Sequence, residues 1–155
     1  MKTRTIITEI NHEDLVDLLS TALYGSSMLA CDYSKQAYKE YCEVDENDCI
    51  EDKMAKLLLA DKCIYIGDMY AEDLDDTYGS VLEHEFDGDT MWYKVTLDDI
   101  KRGVQTCLDG RDEKGYDAYL RSCAIDFINH DEGNLDLPEA EAIMQVVLFG
   151  KLIYG

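Results

Sequence analysis

Residues 78–100 read YGSVLEHEFDGDTMWYKVTLDDI, and this stretch decides the fold class. Two β-rich runs, 78–86 and 90–95, flank Asp87-Gly88-Asp89. A short glycine-containing loop between two such runs is a hairpin signature. The second run passes directly into Thr96-Leu97-Asp98-Asp99, where Thr96 is placed to cap a helix and Asp99 to answer it three residues on. Leu97, Ile100, Val104, Cys107 and Leu108 then recur at helical spacing as a buried stripe, and Gly110 supplies the stop.

Toward the N-terminus, residues 3–10 are rich in Thr and Ile and read as a strand. Asn11 and Asp14 form a capping pair for a helix whose apolar face is Leu15, Leu18, Leu19, Ala22 and Leu23, with Gly25 at its end. Residues 28–33 fit either a buried strand or the start of the next helix. Ser34 can cap a helix through Tyr38, Tyr41 and Cys42 that fades into the acidic loop 43–48. A helix over 50–60 turns Met54, Leu57 and Leu58 inward. Residues 62–66 are strand-like and end at Gly67, and 69–76 form a charged loop or a single helical turn.

Toward the C-terminus, a helix over 117–129 has Leu120, Cys123, Ala124, Phe127 and Ile128 inward. The last helix starts at Pro138, where the first turn tolerates proline, carries Ile143, Met144, Val147 and Leu148, and stops at Gly150. The apolar tail 152–154 is expected to pack down. Strands this few and irregularly spaced do not make a doubly wound sheet. The expectation is one α+β domain over 1–155: a small, mainly antiparallel sheet with a central hairpin, covered by about four to six helices.

With 155 residues, 46% of them hydrophobic, the chain can bury a core without a metal or disulfide. Asp and Glu number 34 against 14 Lys and Arg, a net charge of -20. Such a field repels nucleic acid and anionic membrane and favours basic partners; the same charge also serves solubility alone. A salt-adapted origin fits less well beside six cysteines and abundant Ile and Tyr. The cysteines are Cys31, Cys42, Cys49, Cys63, Cys107 and Cys123, with no C-x-x-C pair, so a thiolate zinc site is not expected. Without a secretory leader or a membrane-length apolar run, a cytoplasmic protein with reduced thiols is expected.

The usual catalytic signatures are missing. No G-x-G-x-x-G, Walker A loop or G-x-S-x-G elbow occurs, and 110–115 reads as a polar connector. His12, His84 and His130 lie in separate elements: a helix first turn, the exposed face of a strand, and a helix last turn. Asp45-Glu46-Asn47-Asp48 begins like a calcium loop but continues with Cys49 and, at the glycine position, Ile50. Residues 131–136 lack an oxygen ligand at Gly133. His84, Glu85, Asp87 and Asp89 make the best loose metal cluster, yet His84 and Phe86 face one side of their strand and Glu85 the other. Glu51-Asp52-Lys53 has the E-x-K form of a metal-dependent nuclease but sits on a helix. Lys and Arg are scattered, only Lys101 and Arg102 being adjacent, which points away from direct nucleic-acid binding. No catalytic residue, metal ligand or cofactor is assigned.

The acidic residues are unevenly spread. Residues 68–89 hold nine without a Lys or Arg: Asp68, Glu72, Asp73, Asp75, Asp76, Glu83, Glu85, Asp87 and Asp89. Residues 43–52 hold six more, and 126–141 another six. Carboxylates a few ångströms apart can imitate a row of phosphates and enter a basic groove made for nucleic acid, with fast, salt-sensitive association. Tyr70, Tyr78 and Trp92 are placed to anchor such an interface, although Trp92 also fits a core position.

Three stretches resemble a group of uncharacterised small acidic proteins of phages and mobile elements of gut bacteria. Thr21-Ala22-Leu23-Tyr24-Gly25-Ser26 is similar to their A-L-x-G-G, with Ser26 in place of the second glycine. Residues 95–104, VTLDDIKRGV, resemble L-T-x-x-D-I-x-x-G-L, and residues 141–155, EAIMQVVLFGKLIYG, resemble I-x-Q-x-x-L-F-G-x-x-V-Y-G. Residues 32–89, which hold most of the unbalanced charge, fall outside the resemblance. It implies a mobile-element setting, where small acidic proteins often block host nucleases, and it carries over no functional residue.

The reading is therefore a non-enzymatic, anti-CRISPR-like DNA mimic that binds a basic protein surface, with Cas9 or another host nuclease as partner. Two alternatives stand beside it: a small metal-dependent hydrolase or nuclease whose carboxylates assemble in the fold, and an accessory protein that self-associates through its apolar tail.

Overall fold

The computed structural model describes residues 9–24, 26, 28–70, 82–110, 117–129 and 135–153. The hairpin forms around a tighter turn than the sequence marks. Strands β3 (His84–Asp87) and β4 (Thr90–Val95) pair antiparallel with Asp87 opposite Thr90, so Gly88 and Asp89 alone make the loop. Gly88 has a φ of 61°. A positive φ at the first loop position matches the twist of a two-residue hairpin and is free of penalty only for glycine.

Two further strands complete the sheet, β1 (Leu29–Asp32) and β2 (Ile64–Asp68), in the order β1-β2-β4-β3 with every pair antiparallel. Thus β4 is interior and β3 is an edge. The ambiguous segment 28–33 becomes β1 because its backbone finds partners on β2, with Leu29 opposite Asp68 and Cys31 opposite Ile66. The strand expected over 3–10 lies, but for residues 9 and 10, outside the described residues, as do 78–81 of the first hairpin run.

Six helices are described: α1 (His12–Tyr24), α2 (Lys35–Tyr41), α3 (Ile50–Leu59), α4 (Leu97–Asp109), α5 (Asp117–Ile128) and α6 (Leu137–Phe149). Their starts follow the capping chemistry. Asp14 N–H donates to Asn11 Oδ1 and Asn11 N–H to Asp14 Oδ2, each at 2.9 Å. Ser34 accepts from Ala37 N–H at 3.1 Å. Thr96 N–H donates to Asp99 Oδ2 at 2.8 Å while Asp99 N–H donates back to Thr96 Oγ1. Asp136 and Glu139 make the same reciprocal pair, so α6 starts at Leu137, one residue before the expected Pro138. Each reciprocal pair satisfies two backbone donors, and Ser34 satisfies one. Left-handed Gly110 and Gly150 end α4 and α6.

The fold is therefore α+β, with the helices and one face of the sheet sharing a single core. Ile64, Ile66, Met91, Tyr93 and Val95 enter that core by strand alternation. Beyond its first turn, helix α6 is enclosed on every side. Ala140 and every residue from Ala142 to Phe149 are buried, as expected of a helix surrounded by others; it packs against α1, α4 and α5. Phe149 meets Tyr93 of β4 edge-on, with ring centroids 5.6 Å apart. At the crossing of α4 and α6 the backbones nearly touch. A Cβ on Gly103 would lie 2.5 Å from Val147 Cγ2, 2.8 Å from its Cα and 3.0 Å from its N. The tail folds back, with Leu152 buried and Ile153 N–H donating to Gln145 Oε1 at 2.9 Å. Stretches 95–104 and 141–153 thus meet at one packed crossing, where Gly103, Gln145 and Gly150 have structural tasks.

Candidate partner-binding surface

Strand parity sorts the acidic residues of 68–89. Glu83, Glu85, Asp87 and Asp89 are all exposed. Glu85 and Asp87 alternate on β3 and share its outward face, and Glu83 precedes them in the same phase; its carbonyl accepts from Lys94 N–H at 2.9 Å. Asp89 sits in the turn. A repeat of two residues in an extended strand spaces these carboxylates by about 6.8 Å. That is shorter than the Debye length of roughly 8 Å at physiological salt, so the row acts on a partner as one charge. Lys94 offsets it in part, with its ammonium 3.6 Å from Glu83.

Asp68 does not belong to this surface. It is fully buried at the end of β2, where Oδ1 accepts from Tyr70 N–H at 2.9 Å. The reason is alternation: Ile64 and Ile66 point into the core, and Asp68 follows them in phase. Reading β2 as ending at Gly67 concealed this. Glu72, Asp73, Asp75 and Asp76 lie outside the described residues.

His84 is not on an exposed strand face. It is half-buried on the core side, its ring 5.4 Å from that of Tyr93 and its Nδ1 2.8 Å from the Leu82 carbonyl. Glu85 is on the opposite face, so the loose cluster around His84 does not converge. Among the described residues no group of three or more His, Cys, Asp or Glu is placed to hold a metal ion.

A second polar region, which local sequence spacing does not mark, joins the N-terminal helices. Asp52 closes the start of α3, its Oδ2 accepting from Cys49 N–H at 3.2 Å and from the Cys49 thiol at 3.0 Å, while Oδ1 lies 3.0 Å from His12 Nε2 on α1. Hydrogen bonds from Cys49 and His12 lower the Asp52 carboxyl. Desolvation, followed by the hydrogen bond to Asp52, pushes the Cys49 thiol up to about 11. The thiol is thus a protonated donor at neutral pH. With the carboxylate between thiol and imidazole, the order needed to activate a cysteine is absent.

Beside it, Tyr38 Oη and Lys56 Nζ both donate to Asp48 Oδ2 at 2.6 Å, and Lys56 also reaches the Glu43 carbonyl at 2.9 Å. These bonds tie loop 43–48 to α2 and α3. Lys56 and then Tyr38 hold the Asp48 carboxyl below its ordinary range. Within Glu51-Asp52-Lys53, Asp52 belongs to the cap and Lys53 lies over the Tyr38 ring at 5.5 Å.

None of the six cysteines forms a disulfide. Among the described residues no helix is long and apolar enough to cross a membrane. Fold and surface define the class: an acidic α+β protein with an exposed carboxylate-bearing hairpin. Compared with protein families, curated proteins and solved structures, the chain matches none of them.

Proposed function

We propose that this protein is an acidic inhibitor of mobile-element origin that binds a basic, nucleic-acid-binding surface of a host defence nuclease, with a CRISPR effector such as Cas9 as the first target. The observation that carries the reading is the exposed row Glu83, Glu85 and Asp87 with Asp89 at its tip. Several of the basic groups that would balance such a surface are engaged elsewhere. Lys56 is paired with Asp48, Lys62 lies 4.0 Å from the centre of the Tyr41 ring, and Arg102 donates to the Val147 carbonyl. Duplex DNA carries a charge per roughly 1.7 Å of axis, denser than the hairpin row. The row therefore suits a patch of a few Lys or Arg, with the remaining net charge steering the encounter.

The test is capture of purified Cas9, with and without guide RNA, at low and high salt. Salt-sensitive capture, competed by target DNA and lost in a Glu85→Lys/Asp87→Lys variant, is the expected result. Absence of capture in every condition removes Cas9 as the partner; capture that the double variant leaves intact removes the hairpin as the surface. Leu152 is buried within the fold, which argues against its use in self-association.

A further inference from the structure

The outward face of the sheet is laid out by its register. Asp32, Tyr65 and Lys94 stand in one cross-strand row, and Ala30, Gly67, Trp92 and Glu85 in the next. This is the face opposite the buried Ile64, Ile66, Met91, Tyr93 and Val95. Gly67 makes room for the indole: a Cβ there would stand 3.1 Å from both Cε3 and Cζ3 of Trp92. The indole therefore leans across β2 and remains partly exposed. Glu85 is its direct neighbour on β3, a pairing that sets Cβ atoms about 5 Å apart.

We propose that Trp92 and Glu85 together seat an arginine side chain of a basic protein partner, with the guanidinium stacked on the indole and its N–H edge held by the carboxylate. The inference rests on reading the acidic hairpin as a surface for a basic protein, and it adds a preference for arginine over lysine. Charge complementarity selects the occupant. Tryptophan is the strongest aromatic partner for a cation, and arginine is the cation most often found there. A planar guanidinium can stack and donate to a carboxylate at the same time, whereas a lysine ammonium is compact and strongly hydrated. In the neighbouring row Asp32 adds a further carboxylate. The Tyr65 phenol is pushed up by its hydrogen bond with the Cys63 side chain and, further down the order, by the Asp32 and Glu83 carboxylates. Lys94, on the same face, is directed to Glu83.

Trp92 is the single tryptophan of the chain, so its emission reports the seat directly. The experiment titrates the full chain with labelled nona-arginine and nona-lysine peptides at 0.15 M salt, read by anisotropy and by Trp92 emission. Nona-arginine is expected to bind about two- to fivefold tighter than nona-lysine and to perturb the emission saturably. Trp92→Leu should bring nona-arginine down to parity with nona-lysine and leave nona-lysine unchanged. Trp92→Phe, with a weaker π face, should keep an intermediate preference, and far-UV circular dichroism checks that both variants fold. Equal binding of the two peptides by the unsubstituted protein, or a preference that survives Trp92→Leu, overturns the arginine seat and leaves the acidic surface standing. Binding of neither peptide overturns both.

Discussion

Replacing Gly103 with alanine should destabilise this protein, although alanine is the better helix former. The propensity gain in a helix interior is about 1 kcal/mol. Against it, the new Cβ would meet Val147 Cγ2 at 2.5 Å, Cα at 2.8 Å and N at 3.0 Å. A rotamer change can move Cγ2 but not the backbone atoms, so α4 has to lift from α6. Overpacking of this kind costs about 1–3 kcal/mol or more, and contact with backbone argues for the upper end. The lift would also strain the 2.6 Å bond from Arg102 Nη2 to the Val147 carbonyl. The net expectation is a loss of about 2 kcal/mol, which for a domain of this length lowers Tm by roughly 4–8 °C. Urea unfolding followed by circular dichroism gives the stability, and an unchanged m-value would show that the denatured state is unaffected. Gly103→Ala/Val147→Ala, which removes only the Cγ2 contact, should recover part of the loss. Gly103→Ala at or above the parent's stability, or full recovery in the double variant, would refute the argument that the backbones are in contact.

Three further outcomes are expected. Burial, followed by a hydrogen bond with Asp126, pushes the Glu139 carboxyl up to about 7. A raised carboxyl stabilises fully below its ordinary range, near pH 4.5, and that contribution is lost as pH rises through 7; Glu139→Gln should flatten the fall in Tm between pH 5 and pH 8 and melt higher than the parent at pH 8. Asp48 has the opposite sign: its lowered carboxyl contributes above the ordinary carboxylate range and loses that contribution as pH falls through its folded value. Asp48→Asn should therefore lower Tm by a few degrees at neutral pH and shrink the acid limb of a pH-dependent melt. Gly67→Ala would place a Cβ 2.7 Å from Thr90 Cγ2 and 3.1 Å from the Trp92 ring; both neighbours are side chains that can yield, so the loss should stay near 1 kcal/mol while the indole shifts toward water and its emission moves to the red. Unchanged emission would mean that the ring does not depend on Gly67.

Much of the fold was legible in the chain because its signals are local. Asn11 with Asp14 and Thr96 with Asp99 are capping pairs three residues apart, and their hydrogen bonds join neighbours in the chain. The α4 stripe and Gly110 are equally local. The candidate surface was legible only in part. Composition marked 68–89 as acidic, but Asp68 changed sides because β2 runs one residue past Gly67 and alternation carries it inward.

What the sequence by itself determined was the class, α+β, the hairpin, most helix bounds and the excess of negative charge. Each depends on backbone preferences and periodicities within a few residues, or on a simple count. Only the tertiary structure decided that α6 is enclosed, that His84 turns toward Tyr93, that Gly67 lies beneath Trp92, and that His12 meets Asp52 across 40 positions of sequence. Those outcomes depend on which faces close on one another. Closure is selected by the packing of the whole core, and no local window of residues contains that information.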